Sequence, residues 1–191
     1  MHRLSASFVL GYHGCDATVA EKLLAGERFL PSSNDYDWLG PGVYFWEANP
    51  QRGLDFAIEA SGRASSIRRP AVVGAVIELG LCLDMTTRKA LEMVREAYVT
   101  LKASFDTAGQ SLPRNSADFL RRNLDCAVVQ RLHSILEDAG ETLDTVRGVF
   151  IEGSPIYPNS GFNEKTHTQI AVRNLACIKG VFRVPEDQLQ R

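Results

Sequence analysis

Strand signals in this 191-residue chain come at uneven intervals, and that spacing restricts its fold more than any other feature. The extended apolar or alternating runs are Ser7–Tyr12, Val43–Trp46, Ala71–Leu79, Gly148–Glu152, Thr168–Arg173 and Ile178–Val184. A doubly wound sheet needs a crossover helix of similar length between successive parallel strands. Here the longest gap holds two consecutive helical patterns, and the last two strands follow each other closely. Mixed β and α, then two helices, then β predicts an α+β fold. The length suits a single domain over residues 1–191, with residues 84–140 as a helical insertion.

Local signals place the helices. Asp16 caps a helix running to about Leu24, which Gly26 stops. Asn49-Pro50 opens another that reaches about Ala60, because proline suits a first helical turn. Leu91, Val94, Tyr98, Leu101 and Phe105 step by three and four along one helical face. After Asn115-Ser116, a further helix carries Leu120, Leu124, Ala127, Val128, Leu132, Ile135 and Leu136 and ends at Gly140; Pro113 separates the two. Residues 30–41 and Ser61–Pro70 read as loops, and Pro185–Arg191 as a loose tail.

Apolar residues make up 45% of the chain, enough for a substantial core. The formal net charge of −2 gives no global attraction to nucleic acid. Arg68-Arg69 and Arg121-Arg122 are the densest cationic pairs and read as solvated surface. Cys15, Cys82, Cys126 and Cys177 form no CxxC and no zinc-ligand spacing, so no metal is expected. No cleavable leader and no bilayer-length apolar run is present, so a cytoplasmic protein without membrane contact is expected, delivery by a leaderless secretion route aside.

Two short motifs carry chemistry. Gly11-Tyr12-His13-Gly14 ends the first apolar run, and Leu39-Gly40-Pro41-Gly42-Val43-Tyr44-Phe45 follows about thirty residues later. Each sets a polar ring side chain on a strand beside glycines that let a ligand approach the backbone. The His13 ring can bond a hydroxyl, Gly14 leaves its backbone open to an amide, and Tyr44 offers a flat face for stacking, with Phe56 as a candidate for the opposite face. In Thr166-His167-Thr168-Gln169-Ile170-Ala171-Val172, alternation puts His167, Gln169 and Ala171 on one side of a strand, where Gln169 can close the same cleft.

These motifs, taken together and in this order, resemble the first two motifs of the diphtheria-toxin-like ADP-ribosyltransferases, the group that includes the poly(ADP-ribose) polymerase catalytic domains. The resemblance spans nearly all of the chain outside residues 84–147. It implies a split β-sheet that clasps NAD as substrate. It implies ribose binding by His13, an amide anchor at Gly14 and nicotinamide stacking on Tyr44. The family's third signature residue, a glutamate, is here Gln169, which can bond a ribose hydroxyl but cannot act as a base. Where the family often has a small hydroxyl residue, about eight positions after the tyrosine, this chain has Arg52. The expected activity is transfer of a single ADP-ribose unit to a protein or nucleic acid. The role that the resemblance implies is that of a bacterial toxin or defence factor, with a neutralising partner protein in view. The alternatives are an NAD glycohydrolase and a non-catalytic NAD- or ADP-ribose-binding module.

His167, two residues before Gln169, is the candidate base on the acceptor side, with Glu164 and Glu152 as carboxylate candidates. The loop Gly153–Thr166 precedes the third motif. Its Tyr157 and Phe162 are aromatics in a polar setting, able to stack on a base or press on a protein surface. In the resembled family the equivalent loop selects the target.

Overall fold

The protein is described by a computed structural model that covers residues 8–63 and 66–189. The elements are β1 (Phe8–Asp16), α1 (Ala17–Leu24), β2 (Val43–Glu47), α2 (Pro50–Ser61), β3 (Pro70–Glu78), β4 (Cys82–Asp84), α3 (Arg88–Thr107), α4 (Asn123–Asp138), β5 (Thr145–Phe150), β6 (His167–Val172) and β7 (Ile178–Arg183). The strands form one seven-stranded sheet in the order β4-β5-β6-β2-β1-β3-β7. Every pairing is antiparallel except β4 with β5. The α+β expectation therefore holds.

Several predicted boundaries move. The first strand does not stop at Tyr12 but continues through His13 and Gly14 to Asp16, because nine residue pairs tie it to β3. Ser7, where that strand was expected to begin, lies outside the described residues, as do Ala64, Ser65, Gln190 and Arg191. Gly148–Glu152 becomes Thr145–Phe150, which leaves Glu152 beyond the strand. The helix expected after Asn115-Ser116 starts only at Asn123, so Leu120 stands outside it and exposed. The cause is local: Asn115 bridges Arg122, and its Oδ1 accepts from the N–H groups of Leu124 and Asp125, capping the helix there. Short β4 carried no sequence signal, and part of the expected tail, Glu186–Gln188, forms a 3-10 turn.

Helix caps match the sequence. The Asp16 carboxylate accepts from Thr18 N at 2.9 Å and from the N–H groups of Arg68 and Arg69 at 2.9 and 2.8 Å. One residue thus caps α1 and fastens the chain just ahead of β3. Asn49 caps α2 through Arg52 N, with Pro50 in the first turn.

Two apolar cores lie on opposite faces of the sheet. One joins Val43, Phe45, Val73, Ala75, Ile77, Ile170 and Val172 to Ala20 and Leu23 of α1 and to Phe29. The other joins Leu83, Val146 and Ala171 to Ala90 and Ala97 of α3 and to Val128 and Leu132 of α4. The segment 84–140 is thus packed on the sheet and covers its β4-β5-β6 half. Helix α2 lies on the same face over β1, at a glycine contact. A Cβ on Gly14 would sit 2.0 Å from the carbonyl oxygen of Gly53, so these two glycines let helix and strand approach closely.

Candidate functional site

The neighbouring strands β1 and β2 part company halfway along. Their register pairs Gly11 with Glu47 and Tyr12 with Trp46 and then stops. Yet β1 stays paired to β3 as far as Asp16, and β2 stays paired to β6 as far as Val43. Continuing that register would set Gly14 against Tyr44. Instead, the imidazole of His13 donates from Nδ1 to the Tyr44 carbonyl oxygen at 2.9 Å. Because a carbonyl only accepts, Nδ1 carries the proton. Further along, Ser32 takes both backbone groups of Gly42.

Strand geometry says what this leaves open. Backbone groups alternate sides along a strand. The Leu10 carbonyl accepts from Ala48 N on the β2 side. Tyr12 and Gly14, two and four residues on, therefore direct their N–H and C=O the same way. Tyr12 meets β2; Gly14 meets the gap. One donor and one acceptor on a single residue are the complement of a carboxamide. Gly14 is buried, and its α2 face is closed by Gly53.

The predicted side chains do not all converge. His13 stands opposite Phe45 in the register and packs edge-on against Phe29, with its ring centroid 5.4 Å away, in the first core. Tyr44 and Gln169 project to the other face, so strand alternation separates the His13 ring from both. Burial lowers the His13 pKa below its ordinary value, outweighing its backbone hydrogen bond. Tyr44 is fixed at both ends: its hydroxyl accepts from Leu39 N at 3.0 Å and donates to the Gly40 carbonyl at 2.9 Å. Gly40 has φ +79°, which closes that turn. Phe56 packs on Trp46 rather than Tyr44, the two rings tilted by 39° with centroids 4.8 Å apart.

On the second face, rings and ions form a connected group. Gln169 accepts from Trp38 Nε1 at 2.7 Å. An indole N–H can only donate, so the contact atom is Oε1, and the amide nitrogen of Gln169 is turned the other way. Gly148 makes room: a Cβ there would come within 2.6 Å of the Trp38 ring. His167 stacks on Phe150 at 5.5 Å and donates from Nδ1 to the Lys165 carbonyl at 2.6 Å. Its Nε2 is then a bare acceptor, buried and unpartnered among the described residues. Burial lowers its pKa and keeps the ring neutral at pH 7. Arg52 is buried, bonds Glu152 at 2.8 Å, and lies 3.6 Å from Glu59.

The loop residues stay apart from this group. Tyr157 and Phe162 are exposed, in a loop closed by the Pro155–Asn163 bridge. Glu164 accepts weakly from Ser154 N. A cavity of about 590 Å³ opens between that loop and the turn before α4, lined by Phe119, Arg122, Ile151, Glu152 and Lys165 among others.

Sequence reasoning missed Trp38, Trp46, Phe150 and Arg122. Alternation from Tyr44 would have found Trp46. Arg122, expected on solvated surface, lies with its guanidinium 4.2 Å from the centroid of Phe150 and 4.9 Å from that of Trp38. Among the described residues, no group of three or more His, Cys, Asp or Glu side chains could hold a metal ion, and no helix is long and apolar enough to cross a membrane.

Comparison with known proteins adds little. A 36-residue stretch is 50% identical to an uncharacterised protein of Methanocaldococcus jannaschii, covering 19% of this chain and 17% of that protein. No family model matches the chain. No solved structure matches it either.

Proposed function

We propose that the protein is an NAD-dependent mono-ADP-ribosyltransferase. One observation carries the reading: His13 takes the Tyr44 carbonyl where the β1–β2 register has stopped, and strand alternation then turns both backbone groups of Gly14 toward the parted strands. A nicotinamide carboxamide fits that pair as a donor and acceptor together. Breaking the nicotinamide–ribose bond places positive charge on the ribose, so the site's task is to hold the cofactor and exclude water. His13 here positions the gap rather than touching the ribose. Phe56, whose ring edge lies 3.3 Å from where a Cβ on Gly14 would be, is proposed as an apolar wall, Tyr44 as the residue whose carbonyl holds His13, and Gln169 as a donor to a sugar or phosphate oxygen. His167 and Glu152 are the candidates for receiving a proton from the acceptor, which the exposed Tyr157 and Phe162 would engage.

The direct test follows the Gly14 amide resonance of ¹⁵N-labelled protein while NAD, and separately nicotinamide, is added. Both ligands are expected to shift it. An unmoved Gly14 signal at saturating NAD would sink the placement. Labelled NAD added to cell extract, followed by nuclease or protease digestion, then assigns the acceptor.

A second reading, an NAD- or ADP-ribose-binding module without transfer, is favoured by Gln169 itself. Its carboxamide is uncharged, and Trp38 already engages its oxygen. Binding without release of nicotinamide, with or without extract, would select that reading. Steady release with no macromolecular product would select the glycohydrolase.

A further inference from the structure

The insertion helices leave a cavity that the proposed activity does not use. Strand β4 is three residues long and pairs with β5 only from Thr145 to Arg147. Beyond that point α3 and the start of α4 stand away from the β5 edge. The space between is about 720 Å³, within the range of small-molecule sites. Its walls are largely aliphatic, with Leu91, Val94, Leu124 and Val128 among them, and Trp38, two arginines, Arg95 and Arg122, and one carboxylate, Asp125, also belong to the lining.

Arg122 borders both this space and the cavity of about 590 Å³ and brings a cation to its lining beside Arg95. Its guanidinium carbon lies 4.9 Å from the Trp38 ring and 4.2 Å from the Phe150 ring, and those two rings touch each other at 5.3 Å, so the cation rests on an aromatic pair. Its Nε donates to the Phe119 carbonyl at 2.9 Å. The fork formed by Nη1 and Nη2 makes no hydrogen bond among the described residues, and the nearest carboxylate, Asp125, is 4.0 Å from Nη1. Asn115 bonds the other oxygen of that carboxylate, Oδ1, at 2.9 Å, so Asp125 is held at the long limit of an ion pair with Arg122. Burial lowers the Arg122 pKa below its ordinary value, which marks a cation that its surroundings only partly compensate. A planar fork held on rings with its edge free suits bidentate binding of a carboxylate, sulfonate or phosphate.

We infer that this cavity binds a small amphipathic anion, its apolar body among the α3 and α4 side chains and its anionic end on the Arg122 fork. The inference rests on the lining alone and stands whether or not the protein acts on NAD.

Two probes of matched shape test it: anilinonaphthalene sulfonate, which is anionic, and N-phenylnaphthylamine, which is not. The protein has two tryptophans, so a Trp46→Phe variant makes Trp38 the energy donor to a bound probe. The expected result is saturable one-to-one binding of the anionic probe with quenching of Trp38. Arg122→Gln should weaken the anionic probe about tenfold and leave the neutral one within about twofold, the size of one charge-assisted contact. Leu91 is half exposed, so Leu91→Glu should leave the fold unchanged, and it should also weaken the anion about tenfold. Equal loss of both probes in Arg122→Gln, no effect of Leu91→Glu in a protein with unchanged circular dichroism, or non-saturating binding would each overturn the inference. So would stoichiometric displacement of the probe by NAD, which would make the cavity part of the cofactor site.

Discussion

Arg52 and Glu152 show how a single residue can be structural and still shape a site. Their side chains are only 8% and 15% exposed, and the ion pair between them spans one hundred residues of sequence. Removing one partner leaves a buried charge uncompensated, which typically costs 3–5 kcal/mol, whereas removing both costs much less. Arg52→Met is therefore expected to lower unfolding free energy by about 3 kcal/mol or more. The double variant with Glu152→Gln should recover most of the loss. A urea-denaturation double-mutant cycle measures both, and an additive cycle would show that the pair is not coupled. His133 makes a second residue-scale case. It is buried in α4 against Gly40, and burial, then Arg173, push its pKa down to about 4, with Glu137 opposing. An unfolded histidine titrates near 6.5. Between those values the unfolded chain takes up a proton that the folded protein refuses, so stability falls as pH drops from about 6.5 and levels off below about 4. The ceiling on that loss is about 3 kcal/mol. His13 and His167 are shifted in the same direction, so the test is the difference between wild type and His133→Leu across that window. Parallel stability curves for the two proteins would exclude the assignment.

At the scale of elements, capping decides where the chain turns from strand to helix. Asp16 ends β1 and starts α1, and its carboxylate serves four donors in two segments. The N–H of Arg69 leads in holding its pKa far below the usual carboxylate range, followed by the contacts with Thr18. The sign follows: the contribution is complete above the unfolded value near 4 and is lost as pH falls through the acid range. Thermal melts of Asp16→Asn between pH 5 and pH 2 should show a shallower acid limb than wild type, because an amide cannot serve all four donors. An unchanged limb would remove Asp16 from the acid response. Both Asp16 and the Asn49-Pro50 start of α2 were legible in the sequence, because capping is chemistry between near neighbours. The start of α4 was not. Leu120 continues the helical spacing of Leu124, but Asn115 bonds Leu124 N and Asp125 N and holds the chain in a turn until Asn123. The site divides along the same line. That Tyr44 and Gln169 share a face follows from alternation, yet the parting of β1 from β2 depends on which group takes the Tyr44 carbonyl, and no local pattern encodes that choice.

At the scale of the whole molecule, the question is whether residues 84–140 fold with the sheet or as an addition to it. The second core answers through its membership: Leu83 of β4, Val146 of β5 and Ala171 of β6 pack with Ala90 and Ala97 of α3 and Val128 and Leu132 of α4. Without those helices the β4-β5-β6 half of one face would meet water, and burying each large apolar side chain contributes about 1.5–3 kcal/mol. The first core, on the other face, uses the same strand β6, through Ile170 and Val172 beside Ala171. The central strands β6 and β2 thus back both cores, and we expect the cores to be lost in one cooperative transition. The cysteines report on each part. Cys15 and Cys177 lie in the first core, Cys126 is buried in α4, and burial raises all three thiols, Cys15 to about 11. All three should therefore react slowly with a thiol reagent at pH 8 in the native protein. In pulsed labelling across a urea titration, read by peptide mass spectrometry, their exposure should follow a single midpoint. If Cys126 became reactive at clearly lower urea than Cys15 and Cys177, the helices would be a separate unit laid on a sheet that stands without them.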